Sequence, residues 1–234
     1  MDIEQYTDKY FTRTRDILEQ LRINPIVRYQ VFARQPGLVK GIDEAVGVIK
    51  DTVGDKARIW ALREGSQYAS KEPLMKLEGH VQDLVELETI YLGITSGALT
   101  GSVDMHDVRR QAGAIYQAAQ GKPLLYFGAR HFHYSLDQEI SGICAEEGFK
   151  GCSTDAGAQA WDTKGQGTTP HALILSIAAY MQENNIVGNP TVEAAVAFDR
   201  YINPAVPRII LIDTFNREVD DSLATARALP TLSG

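Results

Sequence analysis

The 234-residue sequence predicts an α/β protein in two parts: an N-terminal α+β domain with long helices over residues 1–121, then an incomplete α/β barrel over residues 122–234. Three observations predict this. Runs of β-formers in the first half, such as residues 28–32 (RYQVF), are interleaved with apolar residues at helical spacing, such as Ile42, Val46 and Ile49. After residue 121, strand-like and helix-like segments alternate, the pattern of a parallel sheet or barrel. Finally, the apolar run at residues 124–127 passes through Gly128 and Ala129 into Arg130. A buried parallel strand reads this way when it delivers a charged side chain to the carboxyl end of a sheet, where α/β folds carry their ligand sites.

The elements follow in chain order. Residues 1–13 mix Tyr6, Tyr10 and Phe11 with Asp8, Lys9 and Arg13. They read either as a frayed terminus, with a helix starting near Arg15, or as an arm that docks an aromatic side chain into a site. A strand at residues 28–32 ends at the Pro36-Gly37 turn, and an amphipathic helix spans residues 43–51. Two more strands fall at residues 58–62 and 73–77. Leu84, Leu87, Tyr91, Ile94 and Ala98 then recur at helical spacing, and that helix contains Gly93 and Gly97. Each glycine costs about 1 kcal/mol against Ala, so the pair points to close packing against another element. A helix at residues 104–120 has Asp104 as its cap and Gly121 as its stop. The second half reads as a strand at residues 123–128, a helix through Leu136, Ile140 and Ile143, and a strand at residues 149–153. A helix capped by Asp155, a polar turn at residues 164–168 and a helix from Pro170 come next. The chain ends with a helix capped by Thr191, a strand at residues 208–212 and a helix through Val219, Leu223 and Ala226. A closed eight-stranded barrel takes roughly 250 residues, whereas only three strands stand out after residue 121. The expectation is therefore an open barrel, with the chain stopping early at residues 228–234 (ALPTLSG) or a partner supplying the rest.

Composition bounds the function. With 44% apolar and 23% charged residues, the chain has the makeup of an ordinary soluble globular protein. A net charge of −7 argues against nucleic-acid and membrane-surface partners, while leaving room for a local basic pocket. Cys144 and Cys152 form no CxxC pattern, so neither a disulfide framework nor a zinc site is expected, and a reducing cytosol fits. The opening MDIEQYTDKY lacks the apolar core of a signal peptide, and no apolar run is long enough to span a membrane.

Four segments carry chemical signals. Arg130, after its apolar strand, either pairs with an acid or grips an anionic ligand through its fork of donors. His131 and His133 lack a third metal ligand and read as structural. Residues 167–171 (GTTPH) offer a glycine turn, two hydroxyls and an imidazole at a helix start: a site for an anion and a proton relay, or an ordinary cap. Asp213 ends a strand and suits ribose hydroxyls, a hydrated Mg2+ or a cap for the next helix. Ser153 ends another strand.

Together these segments resemble the nicotinate phosphoribosyltransferase family, within the type II phosphoribosyltransferases. The resemblance runs through TDKYFTRTRDIL, VFARQPGLVKGIDEAVGVI, EPLMKLEGHVQDLVELETIYLGITSGALT, YFGARHFH, GFKGCSTDAGA, GTTPHAL and LIDTF, whose order and spacing match. It implies attack of the nicotinate nitrogen on the anomeric carbon of phosphoribosyl pyrophosphate, loss of pyrophosphate and formation of nicotinate mononucleotide in NAD salvage. Carried over by position, Phe127 stacks on one face of the pyridine ring. Tyr10 stacks on the other, reaching from the neighbouring subunit of a homodimer. Arg130 pairs with the nicotinate carboxylate or a phosphate. Ser153 stands where nicotinamide-using relatives have Asp, which favours nicotinate. Thr168 positions ligand, and His171 is the residue linked to ATP-driven phosphorylation in members that couple transfer to ATP. Asp213 contacts phosphoribosyl pyrophosphate, which brings Mg2+. The resemblance further implies a cytoplasmic enzyme with ATP as co-substrate. It also carries a departure: family members continue beyond the position of Asp213, with an acidic Ser-Gly-Asp segment and Gly-rich phosphate loops not found here. The alternative is a truncated, non-catalytic homologue or split-enzyme subunit that binds nicotinate or a partner chain. A quinolinate enzyme is a weaker reading, because a dicarboxylate calls for more cations than the Arg130 neighbourhood shows.

Overall fold

The computed structural model describes residues 2–229, so residues 230–234 of the expected early end lie outside the described residues. A short helix α1 (Ile3–Tyr6) leads into α2 (Lys9–Leu21). α2 begins well before Arg15 because Tyr10, Phe11, Thr14, Ile17 and Leu18 form one buried stripe at helical spacing. The reading as a frayed terminus is thereby corrected.

Strand β1 (Ile26–Phe32) and the two-residue strand β2 (Gly37–Leu38) precede helix α3 (Ile42–Val53). The glycine at the start of α3, Gly41, has φ 75°. The Glu64 carboxylate accepts from the free backbone N–H groups of Gly41, Ile42 and Asp43, a cap supplied from outside the helix. Strands β3 (Ala57–Ala61), β4 (Gln67–Tyr68) and β5 (Pro73–His80) complete the strand set. β5 is central in an antiparallel sheet of order β1-β5-β3, with Tyr29, Leu77 and Ile59 in register across it. One sheet face packs with α3 and with helix α5, which follows the single turn α4 (Val81–Leu84) and spans Glu88–Thr100. The core there is built from Val31, Ile42, Ile49, Leu74, Leu77, Ile90 and Ile94.

Helix α6 (Met105–Ala118) has the expected Asp104 cap, which accepts from the His106 N–H, and Gly121 follows it at φ 82°. Beyond lie α7 (Asp137–Glu146), α8 (Asp155–Ala158), α9 (His171–Glu183), α10 (Pro190–Tyr201) and α11 (Glu218–Ala228). Two caps differ from expectation. Thr154, not Asp155, caps α8 through its hydroxyl, and Asn189, not Thr191, caps α10. Thr191 is fully buried and donates instead to Asp221.

The larger correction concerns the parallel strands. Among the described residues, the three expected second-half strands make no ladder. Residues 124–126 and 150–152 touch through one parallel bridge, Tyr126 to Cys152, flanked by two backbone bonds. Residues 209–211 hang on Thr169, which donates its N–H to the Ile209 carbonyl and accepts from the Leu211 N–H. Parallel strands are stable when both faces are covered, and Ile209 is 46% exposed. This region is thus built of extended segments and helices rather than the expected sheet. The core of this region joins the two halves: Tyr10, Ile17 and Leu18 of α2 pack with Leu173, Ile177 and Phe198 of α9 and α10.

Candidate active site

The site forms where α2 meets the extended segments. Asp8 occupies the cap position of α2 but its carboxylate does not cap the helix. It accepts from the Tyr10 hydroxyl at 2.7 Å and from Thr89 Oγ1 at 3.0 Å, and lies 3.3 Å from Arg130 Nε. The group is only 1% exposed, and its Oδ1 has no partner. Arg130 follows Gly128 and Ala129 in a turn that lies on α5. A Cβ on Gly93 would approach the carbonyl oxygens of Phe132 and Ala129 to 2.6 and 3.0 Å, and one on Gly97 would approach His133 N to 2.8 Å. This is the close packing that the glycine pair predicts. Glu88, the first residue of α5, accepts from Arg130 Nη1 at 3.1 Å.

Tyr10, Glu88 and Arg130 line a cavity of ≈ 250 Å³ together with Phe11, Phe127, Thr168, Thr169, Pro170, His171, Ala172 and Leu211. Inside it the rings of Tyr10 and Phe127 are parallel within 3°, their centroids 6.2 Å apart. The Arg130 guanidinium sits 5.8 Å from the Tyr10 ring centroid. Tyr10 comes from the same chain and is only 6% exposed. Within one chain the buried stripe of α2 carries the ring to Phe127, where the sequence expectation brought it from a neighbouring subunit.

The remaining expected residues separate into two groups. Thr168 and His171 line the cavity. The His171 ring is half exposed, with Nδ1 3.0 Å from Thr214 Oγ1 and Nε2 3.7 Å from Asp213 Oδ1. Asp213 itself is exposed and is not among the lining residues. Ser153 is not brought to the cavity wall. It is 1% exposed, its Oγ is buried without a partner, and its carbonyl accepts from the Lys9 N–H at 2.7 Å. The 165–167 loop is tied to α2, because Arg13 donates to the carbonyls of Gly167 and Gly165 at 3.1 and 3.4 Å. Gly167 needs to lack a side chain there: a Cβ would meet the Tyr10 ring at 2.9 Å. His133, read as structural, bonds Glu44 and Ser135.

Charge in the cavity is set by Asp8, Glu88 and Arg130. Burial raises the Glu88 carboxyl above the ordinary range; Arg130 opposes this and Asp8 reinforces it. Burial and the neighbouring Asp8 hold the Tyr10 hydroxyl far above its usual value, so it stays a donor. Burial pulls Arg130 down, but Tyr10, Asp8 and Glu88 more than restore it. Sequence reasoning missed Asp8 and Glu88. Both sit at helix starts, where an acid reads as an ordinary capping or dipole residue.

Among the described residues, no cluster of three or more His, Cys, Asp or Glu side chains is placed to hold a metal. No helix among them is long and apolar enough to cross a membrane. Both cysteines are free and buried.

Comparison with known proteins gives related findings. Residues 8–98 match the family model described as quinolinate phosphoribosyl transferase, N-terminal domain. No curated protein sequence matches. Among solved structures, a nicotinate phosphoribosyltransferase from Porphyromonas gingivalis is similar with a TM-score of 0.61 and 15% identity, over 85% of this chain and 60% of that one. One from Vibrio cholerae is similar with a TM-score of 0.60 and 13% identity, over 86% of this chain and 58% of that one. A nicotinate-nucleotide pyrophosphorylase from Pyrococcus furiosus is 31% identical over 97% of this chain and 55% of that one, with a TM-score of 0.46. The chain therefore spans roughly 55–60% of the length of these structures. Residues 8–98 match a quinolinate phosphoribosyl transferase N-terminal domain, and the fold is that of the nicotinate phosphoribosyltransferases compared.

Proposed function

We propose that the chain is a phosphoribosyltransferase of NAD synthesis whose cavity takes nicotinate, forming nicotinate mononucleotide from phosphoribosyl pyrophosphate. The observation that carries this reading is the parallel Tyr10–Phe127 pair with Arg130 at its edge. A flat ring sandwiched between two others needs about 7 Å, twice an aromatic contact distance. The 6.2 Å spacing is short of that by less than an ångström, so a small parting of the rings admits a pyridine. Arg130 then meets the ring carboxylate with a charge-assisted bond.

In the reaction the pyridine nitrogen lone pair forms the new bond to the anomeric carbon as the bond to pyrophosphate breaks, and pyrophosphate leaves with that electron pair. The chain's part is to hold the ring and to stabilise developing charge. His171, flanked by Thr214 and Asp213, stands at the open side of the cavity, where the phosphoribosyl group arrives. The exposed Asp213 carboxylate suits a hydrated Mg2+ carried in with pyrophosphate, which takes one or two protein carboxylates and screens the leaving group. ATP enters this reading as a co-substrate acting through His171.

A second reading follows from the family model: quinolinate in place of nicotinate. Arg130 is the one Lys or Arg side chain among the lining residues. That leaves a second ring carboxylate without a cation and favours the monoacid. The test is incubation of the chain with labelled nicotinate, phosphoribosyl pyrophosphate, Mg2+ and ATP, with quinolinate in a parallel arm and His171→Ala alongside. Mononucleotide from nicotinate that is lost in the variant supports the proposal. Product from quinolinate alone supports the second reading, and product from neither refutes both.

A further inference from the structure

The charges around Arg130 do not balance in favour of an anionic ligand. Its Nη1 is held by Glu88 and its Nε faces Asp8, so one cation already serves two carboxylates before any substrate enters. A ring carboxylate adds a third. Of the two protein acids, Asp8 is fixed: it is 1% exposed and accepts from both the Tyr10 and Thr89 hydroxyls. Glu88 lines the cavity, and Arg130 is its one side-chain hydrogen-bond partner among the described residues.

We propose that Glu88 sets the charge requirement of the pocket: a pyridine carboxylate reaches Arg130 only as Glu88 takes up a proton, so binding of the acid is coupled to uptake of one proton from solvent. This rests on the reading of the cavity as a nicotinate site. Protonation converts Glu88 from an acceptor competing for Nη1 into a neutral acid, and the freed arm of the guanidinium turns to the ligand. The groups facing Glu88 are Arg130 from the turn, Asp8 and Tyr10 from the start of α2, Tyr29 of β1 and Tyr91 of α5, with His171 of α9 across the cavity. Three of these are phenols that stay neutral, because burial holds them above their usual range. Asp8 favours protonation of Glu88 and Arg130 opposes it. A ligand carboxylate that draws on Arg130 removes the opposing influence. The sign follows: proton uptake makes affinity for the acid rise as pH falls, whereas a neutral amide such as nicotinamide has no such dependence.

The test is calorimetric titration of the chain with nicotinate and with nicotinamide, in buffers of different ionisation enthalpy, for the wild type and Glu88→Gln. Gln keeps an acceptor for Arg130 Nη1, and the melting curve of the variant checks its fold. Wild type is expected to take up about one proton per nicotinate and none per nicotinamide. Glu88→Gln is expected to take up none and to bind nicotinate about tenfold tighter at neutral pH or above, as removal of a nearby like charge requires. Nicotinate binding by wild type without proton uptake overturns the inference and leaves the nicotinate site standing. Variant binding that is no tighter does the same. Absence of binding by either pyridine to either protein overturns the site reading and this inference together.

Discussion

Alanine in place of Gly93 tests how the turn carrying Arg130 is held. Within a helix the substitution gains about 1 kcal/mol from propensity alone. At Gly93 the new Cβ meets backbone, with the Phe132 oxygen at 2.6 Å and the Ala129 oxygen at 3.0 Å. Neither neighbour is a flexible side-chain tip, so the turn has to move away from α5. Overpacking of this kind costs about 1–3 kcal/mol. The net is a loss of up to about 2 kcal/mol, a fall in Tm of up to roughly 8 °C for a chain of this size. Gly47 in α3 is the control, since a Cβ there meets nothing within 4 Å. Gly47→Ala is expected to gain up to about 1 kcal/mol and raise Tm by roughly 2–4 °C. The same chemical change thus has opposite signs at two helical sites. Thermal and urea melts of both variants, with nicotinate titrations, make the assay. Gly93→Ala loses both stability and nicotinate affinity, because Arg130 rides on the displaced turn; Gly47→Ala keeps its affinity. A Gly93→Ala protein as stable as Gly47→Ala refutes the claim that α5 and the turn are in contact.

Other substitutions probe the buried polar groups. Burial pushes the Asp137 carboxyl up to about 6 from 3.8, with the Thr154 hydroxyl pulling the other way. A raised carboxylate favours the fold below the unfolded value and loses that contribution as pH climbs through the folded one. Wild type therefore loses up to about 3 kcal/mol relative to Asp137→Asn between about pH 4 and 6; urea melts at both pH values that show a constant gap refute this. Arg208 donates to the carbonyls of Asp199, Ile202, Asn203 and Val206 and to the Asp199 carboxylate, closing the C-terminal end of α10. Lys cannot reproduce that fork, so Arg208→Lys is expected to cost about 2–4 kcal/mol by urea denaturation. Phe127→Ala removes one face of the ring pair and is expected to weaken nicotinate binding at least about tenfold by calorimetry.

The sequence displays its helices far better than its second-half strands. The stripes of α3, α5 and α6 and the stop at Gly121 are visible because each depends on local spacing and a cap. The Gly93 and Gly97 pair gives away a tertiary contact, since a helix tolerates two such residues only when something lies against them. The expected strands at residues 123–128, 149–153 and 208–212 have the right composition, but pairing is non-local. Beyond the single Tyr126–Cys152 bridge, no ladder forms between them. In the site, Tyr10, Phe127, Arg130, Thr168 and His171 are all readable from motifs. Asp8 and Glu88 are not, because their capping positions hide a charge turned toward Arg130. Ser153 shows the converse: a residue at an expected strand end need not line the cavity, and here its hydroxyl is buried without a partner.

The measurement that tests the account most directly is the structure of this chain crystallised with nicotinate. The account predicts the pyridine ring between Tyr10 and Phe127, their centroids parted from 6.2 Å to about 7 Å, and the ring carboxylate on Arg130. Nicotinate bound elsewhere, with the two rings still closed on each other, would contradict it.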